Sequence, residues 1–212
     1  MTAEQATTPA PRQQRRKAET RRRIVKAADR LFSERGYTAT SIEEIADAAD
    51  VAVRTIYLHF GSKAAIMLSY VDDWIDEFVT AVIARPVDEP VADTLRSAIA
   101  TMEAAGWTDR AEGGDELPHP MVEYLGSGPL DIAGHVTHRW MEALSRLAAD
   151  FTARAGATTA PIDPYARAVA VYTVWISSLF AAGERQHGRT VPSDASGVTG
   201  LAVLDRLASG EL

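Results

Sequence analysis

The sequence predicts an all-α protein, made of a small N-terminal helical domain and a larger helical domain. Apolar residues recur every three or four positions along most of the 212 residues, which is the spacing of one face of a helix. Stretches rich in Gly, Pro, Asp and Thr, such as TDRAEGGDELP and HGRTVPSDASG, separate these segments and are typical of loops. The sequence has neither the alternating pattern of a half-buried strand nor internal repeats or sustained heptads.

Composition excludes several classes of protein and site. With 46% apolar residues the chain has enough material for a core. It contains no cysteine, which excludes disulfides, thiolate zinc sites and cysteine nucleophiles and fits a reducing compartment. The basic N-terminus lacks the apolar run of a secretory signal, and the longest apolar stretch, residues 169–182, is too short to span a membrane. We therefore expect a cytoplasmic protein.

Charge divides the chain more sharply than its net value of −7 suggests. Through Ala64 there are twelve Lys/Arg and eight Asp/Glu, a balance of +4; the remainder has ten against twenty-one, a balance of −11. This asymmetry predicts that the N-terminal part meets a polyanion and that the rest does not.

The N-terminus begins with a basic segment and then a helix. Residues 1–18 have no apolar periodicity and are predicted to form a flexible basic arm, for which a solubilising tail is the alternative. From Glu19 the helical period begins, and Gly36 supplies the stop. The apolar face of this first helix is formed by Ile24, Ala28, Leu31 and Phe32.

Two short helices and a long one should follow. Thr40 or Ser41 can cap the second helix, because a glutamate stands three residues after each, in capping-box spacing. After a break at residues 50–52, a third helix turns its apolar residues inward. Ser62 then begins a fourth helix that ends before Arg85-Pro86 and should reach roughly 33 Å. Further helices are predicted at about 90–105, 118–126, 131–155, 163–186 and 194–208.

Three short helices with a tight break between the second and third can present the third to the major groove of DNA. Arg54 and Lys63 lie in the first turns of their helices, where a cation opposes the helix dipole at a cost of about 0.3 to 1 kcal/mol each. A nearby phosphate would reverse that sign. The alternative is two solvated cations without a partner.

The stretch TSIEEIADAADVAVRTIYLHFGSKAAI resembles the DNA-binding signature of the TetR family of bacterial transcriptional regulators. The first helix resembles that of the family as well, and the match covers about residues 20–68. Asp50 departs from the pattern, since it stands where the family commonly has glycine, but Asp tolerates left-handed geometry better than most residues. Ala64 replaces a frequent acidic residue. The distinctive agreement lies in Thr55, Tyr57, His59, Phe60 and Lys63, after Ile45, Ala46 and Val51.

The resemblance implies a role for individual residues of the third helix and its flanks. Positions that usually approach bases are Val53, Arg54 and Thr55, and positions that usually hold phosphates are Tyr57, His59 and Lys63. Arg54 is the best base reader of the set, because its fork can contact guanine N7 and O6 together. Thr40 and Ser41 could bond phosphate, although helix capping explains them equally well.

The basic arm gains a possible role from the same resemblance. If the first helix lies across the DNA backbone, Arg15, Arg16 and Lys17 could enter the flanking minor groove. Nonspecific attraction to phosphate is the alternative.

The larger part is expected to dimerise and to bind an effector. The resemblance implies that the last two helices form a four-helix interface with a second copy, and internal packing is the alternative. Small and apolar residues favour close approach there, namely Ala166, Ala170, Thr173, Ser177, Ala181, Leu201 and Leu204.

Bulky, adaptable side chains between the linker and the interface suit a small-molecule pocket, although each suits an ordinary core better and only the resemblance predicts a cavity. The acidic balance disfavours a polyanionic effector such as an acyl-coenzyme A. His135 and His138 lack the partners that a metal site needs. The candidate ligand-binding residues are Met67, Trp74, Phe78, Met102, Trp107, Met121, Tyr124, His138, Met141, Tyr172 and Trp175.

We therefore expect three regions: an arm at 1–18, a helix-turn-helix domain at 19–63, and an effector-binding and dimerisation domain at 64–212. The expected function is a homodimeric repressor that binds a palindromic operator and is released by a small, largely apolar molecule, with no cofactor or metal. A DNA-binding architectural or recruiting factor without a ligand is the alternative. An enzyme is not supported, since no nucleophile and base, metal spacing or phosphate loop is present.

Overall fold

The structure is a computed structural model that describes residues 12–107, 128–155, 164 and 166–173. All regular secondary structure in these ranges is helical, which confirms the predicted fold class. Residues 166–173 are helical in addition to seven bounded helices. Those helices are α1 (Arg12–Arg35), α2 (Ile42–Ala48), α3 (Val53–His59), α4 (Lys63–Met67), α5 (Ser69–Ile83), α6 (Val91–Ala104) and α7 (Leu130–Ala155).

The chain divides into two compact units, Met1–Met67 and Leu68–Leu212. In the N-terminal unit, α2 packs against both α1 and α3, and α4 packs against α1. The centre of this core has no solvent exposure, and burying each of its large apolar side chains is worth roughly 1.5 to 3 kcal/mol. Its fully buried residues are Ile24, Ala28, Ile45, Ile56, Ala64 and Ile66.

Helix α1 begins at Arg12, which corrects the predicted boundary of the basic arm. Residues 12–18 are helical and exposed, whereas the sequence prediction placed them in a flexible segment. Apolar periodicity cannot reveal an exposed extension. Arg, Gln, Lys and Ala are good helix formers, so a helix anchored at Ile24 can continue without burying a side chain. Residues 1–11 of the predicted arm lie outside the described part.

The predicted long fourth helix is interrupted at Leu68, which separates α4 from α5. Leu68 has φ −95° and ψ 11°, outside the helical region. Four consecutive residues, from Ile66 to Ser69, are buried. Successive residues of a straight helix point about 100° apart, so one helix face cannot bury all four. The break at Leu68 therefore accompanies burial on more than one side of the chain. The spacing of apolar residues does not record such a break, so it predicts one helix where the structure has two.

In the C-terminal unit, α5 packs against both α6 and α7. The predicted helices at 90–105 and 131–155 are confirmed by α6 and α7, and residues 166–173 lie within the predicted helix at 163–186. The predictions for 118–126 and 194–208 fall outside the described residues. The core of this unit includes Ile75, Val79, Val82, Leu95, Ala98, Ile132, Leu147 and Phe151.

A buried arginine joins the helical segment 166–173 to the start of α6. Arg167 is 2% exposed and donates to the carbonyl of Glu89 at 2.6 Å and to the hydroxyl of Thr94 at 2.7 Å. Burial lowers the pKa of Arg167, and the neighbouring Arg154 acts in the same direction.

Among the helices of the described ranges, none combines the length and the apolar character that crossing a membrane requires.

Candidate nucleic-acid interface

The second helix begins with the predicted capping box. Ser41 is the N-cap, and its hydroxyl accepts from the backbone N–H of Glu44 at 3.2 Å while Glu44 accepts from the backbone N–H of Ser41 at 2.8 Å. These bonds satisfy two groups that a helix start would otherwise leave without partners. The bond from the Ser41 backbone is the main cause that lowers the pKa of Glu44, followed by the bond from Arg35.

Thr40 does not share this role, and the structure corrects its assignment as a phosphate contact. The residue is 2% exposed, and its hydroxyl donates to the carbonyl of Gly36 at 2.9 Å. A side chain buried in this way has no surface to offer a phosphate. Ser41, which is partly exposed, stays a candidate.

The turn between α2 and α3 is tight and contains a left-handed residue. Ala49 ends α2, and the N–H of Val51 donates back to the carbonyl of Ala46 at 3.0 Å. Asp50 has φ +50° and is the one non-glycine residue with positive φ in the described ranges. The expectation that Asp50 takes the left-handed conformation usual for glycine is therefore confirmed.

Helix α3 turns its apolar side inward and its polar side outward. Ile56 has no exposed surface, whereas Arg54 is exposed and Val53 and Thr55 are partly exposed. Tyr57 is 56% exposed. The predicted base-contacting side chains and that of Tyr57 are thus available on one short helix of seven residues, whereas Lys63 lies at the start of α4.

Leu58, which the sequence analysis did not select, is 70% exposed on the same helix. A single exposed leucine is common on protein surfaces, but Leu58 is exposed on the same helix as Arg54 and Tyr57. Counting the helical period from the buried Ile56 places residue 58 about 200° away, so the exposure of Leu58 follows from the spacing.

His59, in the last turn of α3, lies among cations of α1. Burial is the largest cause that lowers the pKa of His59, and the charges of Lys17 and Arg21 lower it further. Its Nδ1 is buried without a hydrogen-bond partner, and Arg21 also lies over the ring of Phe60, 5.2 Å from the centroid. Three side chains that favour an anion therefore converge near the end of α3.

Lys63 is held inside the N-terminal unit by contacts that the sequence did not predict. Its ammonium donates to the carbonyls of Tyr37 and Thr40, both at 2.9 Å, and lies 4.2 Å from the centre of the Tyr37 ring. An ammonium has three N–H donors, so one is left for a phosphate. Contact with DNA stays a prediction for Lys63, but a structural role now accompanies it.

The three candidate residues of the arm, Arg15, Arg16 and Lys17, are exposed on the first turns of α1. Arg16 accepts through its carbonyl from the hydroxyl of Thr20 at 3.0 Å, as expected within a helix. These three residues are helical rather than part of an extended arm. A helix is too wide for the narrow minor groove, so a phosphate contact suits this geometry better than minor-groove entry.

Four of the eight described ligand-binding candidates lie in aromatic pairs of the C-terminal unit. Trp74 stacks on Phe78 at 5.1 Å between ring centres. Trp107 lies 5.7 Å from Tyr70 and accepts the Tyr70 hydroxyl through its carbonyl at 2.5 Å. Tyr172 meets Trp140 edge-on at 6.0 Å, and Met102 is buried on α6. Met121, Tyr124 and Trp175 lie outside the described residues.

Three other ligand-binding candidates lie outside these aromatic pairs and stay predictions. The side chain of His138 is 71% exposed and Met141 is 52% exposed, because the buried stripe of α7 runs through Ile132, Trp140 and Ala143 and leaves both off it. Met67 is buried in the N-terminal unit, as part of α4. Their selection rested on residue type, which does not show on which side of a helix a residue lies.

A network of charged side chains joins α5 to α7. Asp72 accepts from Arg139 Nε at 3.1 Å and lies 2.9 Å from His135 Nε2, and these three side chains are between 16% and 19% exposed. Asp76 pairs with Arg139 at 3.1 Å and with Arg146 at 2.5 Å. No sequence spacing revealed these pairs, which join residues more than sixty positions apart.

The dimerisation candidates are described only in part. Ala166 is exposed, and Ala170 and Thr173 are partly exposed, so small side chains do reach the surface of this helix. Val169 between them is 50% exposed. Ser177, Ala181, Leu201 and Leu204 lie outside the described residues.

Comparison with known proteins agrees with this arrangement. Residues 24–70 match the family model of bacterial regulatory proteins, tetR family. The HTH-type transcriptional regulator TcmR of Streptomyces glaucescens is 29% identical over 143 residues, which cover 68% of this chain and 63% of TcmR. The chain thus spans less than two thirds of that relative.

The HTH-type transcriptional repressor KstR of Mycolicibacterium smegmatis is 29% identical over 172 residues, covering 77% of this chain and 76% of KstR. A crystal structure of a TetR-family regulator from Syntrophomonas wolfei shares the fold with a TM-score of 0.57 at 16% identity, covering 92% of this chain and 97% of that one.

Proposed function

Because the chain belongs to the tetR family of bacterial transcriptional regulators, we propose that it is a ligand-responsive repressor that binds a palindromic operator as a homodimer. The observation that carries the proposal is the outward face of α3. Arg54 and Tyr57 are exposed there while Ile56 anchors the helix in the core. A recognition helix needs one side packed in the domain and the other side free to enter the major groove.

Base recognition is assigned to the start of α3 and backbone contact to its end. Arg54 can donate two hydrogen bonds to guanine, which is worth about 1 to 3 kcal/mol of discrimination. Lys17 and Arg21 place two cations beside His59, which suits this site to phosphate. The basic balance of the first 64 residues supports the same orientation toward DNA.

Dimerisation is proposed through the small side chains exposed at residues 166–173. One copy of a domain this small would contact few bases, and a symmetric pair doubles the contacts and makes the site palindromic. The two recognition helices would then enter successive major grooves about 34 Å apart.

The effector is proposed to be a small, largely apolar molecule held by the C-terminal unit. The aromatic pairs of this unit, such as Trp74 with Phe78, provide the apolar surface that such ligands need. Effector binding would favour a dimer in which the two α3 helices no longer match the groove spacing, and so would lower operator affinity.

The test begins with selection of bound duplexes from a random pool by the full-length protein. The selected sequence should contain an inverted repeat. Arg54→Ala should then relax base preference at one position of each half-site and leave binding to scrambled DNA unchanged. Lys26→Ala, which removes an exposed cation of the same unit, is the matched control and should keep the preference.

Equal losses of Arg54→Ala on selected and scrambled duplexes would contradict the assignment of Arg54. Effector response is tested on the preformed complex with a panel of small apolar compounds. Any compound that changes the tryptophan fluorescence of the free protein should also release the DNA. Release only by another protein would favour the architectural or recruiting alternative.

A further inference from the structure

We propose that Arg23 of α1 is a positioning residue for sequence recognition, which sets the direction of α3 by holding the turn that precedes it. The inference rests on the proposed function as a DNA-binding regulator. It concerns a side chain that contacts the turn rather than one that needs to contact a base.

The geometry joins one guanidinium to two successive carbonyls of the turn. Arg23 Nη2 donates to the carbonyl of Ala49 at 2.5 Å and to the carbonyl of Asp50 at 2.8 Å. The carboxylate of Asp50 lies 3.4 Å from the same nitrogen. Arg23 is twenty-six and twenty-seven positions away from these partners, so the contact ties α1 to the turn across the fold.

These carbonyls are groups that would otherwise lack partners. Ala49 is the C-cap of α2, and the last carbonyls of a helix have no bond within the helix. They also form the negative end of the helix dipole, where a cation is favourable. Arg23 therefore caps the C-terminal end of α2 from a distant position in the sequence.

The turn needs such support because Asp50 occupies the left-handed region. Its φ of +50° is strained for a residue with a side chain, and α3 begins three residues later at Val53. A change in the backbone angles of Asp50 would rotate α3 about its start. Such a rotation would displace Arg54 from the base edge while phosphate contacts, which tolerate more movement, would persist.

The experiment compares three variants of the full chain on two probes: a duplex selected by the wild-type protein and a scrambled duplex of equal length. We expect Arg23→Ala to lower affinity for the selected duplex about tenfold or more, with unchanged affinity for the scrambled one. The slope of log affinity against log salt should stay unchanged, since no phosphate contact is lost. Arg22→Ala is the matched control, because Arg22 is a neighbouring exposed cation whose ion pair, with Glu19 at 2.6 Å, lies within α1.

A smaller salt slope, with equal loss on both duplexes, would make Arg23 a phosphate contact and overturn the inference. An unchanged ratio of selected to scrambled affinity in a folded variant would also overturn it. Circular dichroism measured at the binding temperature establishes that each variant is folded.

Arg23→Lys keeps the inference testable even where Arg23→Ala does not fold. A lysine keeps the charge but replaces the rigid planar fork by a single flexible ammonium. We expect its ratio of selected to scrambled affinity to lie between those of Arg23→Ala and the wild type, at least about threefold below the wild type. A wild-type ratio for Arg23→Lys would overturn the inference. A wild-type protein without sequence preference would instead contradict the proposed function.

Discussion

Lys63 donates a hydrogen bond to the carbonyl of Tyr37 at 2.9 Å while its ammonium lies 4.2 Å from the centre of the Tyr37 ring. The same ammonium reaches the carbonyl of Thr40 at 2.9 Å. One side chain thus fastens the connection between α1 and α2 from the start of α4. Its importance for DNA binding therefore cannot be separated from its importance for the fold without measuring both.

Lys63→Ala should reduce the free energy of unfolding of the N-terminal unit by about 1.5 to 3 kcal/mol, because charged hydrogen bonds to buried carbonyls are lost. If the third N–H meets a phosphate, the salt slope of DNA binding should fall by about one as well. Urea unfolding followed by circular dichroism measures the first effect, and titrations at several salt concentrations measure the second.

Lys26→Ala serves as the comparison for Lys63, since Lys26 is an exposed lysine of α1. Its stability should change by less than about 0.5 kcal/mol. A stable Lys63→Ala protein with a reduced salt slope would assign the residue to DNA alone and contradict its role in holding Tyr37 and Thr40.

Truncation of two apolar residues of α3 should affect different properties: protein stability for Ile56 and operator affinity for Leu58. Ile56 has no exposed surface, so Ile56→Ala should cost about 2 to 5 kcal/mol of stability. Leu58 is 70% exposed, so Leu58→Ala should leave stability within about 0.5 kcal/mol of the wild type. Operator affinity should nevertheless fall for Leu58→Ala, because its side chain can contact a thymine methyl group. Unfolding curves and duplex titrations on both variants measure these effects, and unchanged operator affinity would remove Leu58 from the interface.

His59 should make DNA binding depend on pH. Its pKa is lowered in the free protein by burial and by Lys17 and Arg21, and a bound phosphate would favour the protonated ring. Binding should therefore take up a proton, and affinity should rise as the pH falls from about 8 through the ordinary histidine pKa of about 6.5. His59→Gln should flatten this profile. The difference between the two profiles isolates His59 from the other histidines.

The stability of the free protein should move in the other direction with pH. Because the pKa of His59 is lower in the folded state, the unfolded chain binds more protons between that lowered value and about 6.5. The contribution of His59 to stability is thus present above about 6.5 and is lost as the pH falls through that window. Acid unfolding of wild type and His59→Gln should differ in this sense, and a wild type stabilised by acid relative to His59→Gln would refute the assignment.

Asp72 should stabilise the C-terminal unit through its two partners on α7. Asp72→Ala leaves His135 and Arg139 without a carboxylate that is only 19% exposed, so we expect a loss of about 1 to 3 kcal/mol. Asp93→Ala removes the exposed pair with Arg96 and should cost less than about 1 kcal/mol. Tryptophan fluorescence during urea unfolding reports the difference, and equal costs would contradict the importance given to burial.

The sequence predicted the features that depend on local spacing. The capping box at Ser41, the buried face of α3 and the helical bounds of α6 and α7 all follow from periodicity or from residues three positions apart. The family resemblance added the roles proposed for Arg54 and Tyr57, which spacing alone would have left as exposed residues.

What the sequence could not predict depends on contacts between distant segments. Arg23 and Lys63 each meet backbone carbonyls more than twenty positions away, and no side-chain pattern marks a carbonyl acceptor. The interruption at Leu68 was missed because no glycine or proline marks it and the apolar spacing continues through it, whereas burial on more than one side accompanies the break. Exposure of Met141 was missed because residue type was weighed above helical phase.

The exposed first turns of α1 have an energetic consequence of their own. From Arg12 to Glu19 the helix buries no side chain, and its first turn contains no acidic residue to stabilise the positive end of the dipole. Helical turns without tertiary support are only marginally populated in water. A polyanion bound along Arg12, Arg15 and Arg16 would compensate for the lack of buried side chains and for the missing acidic residue. The first turns of α1 should therefore unfold at high ionic strength and become helical again when the protein binds a duplex.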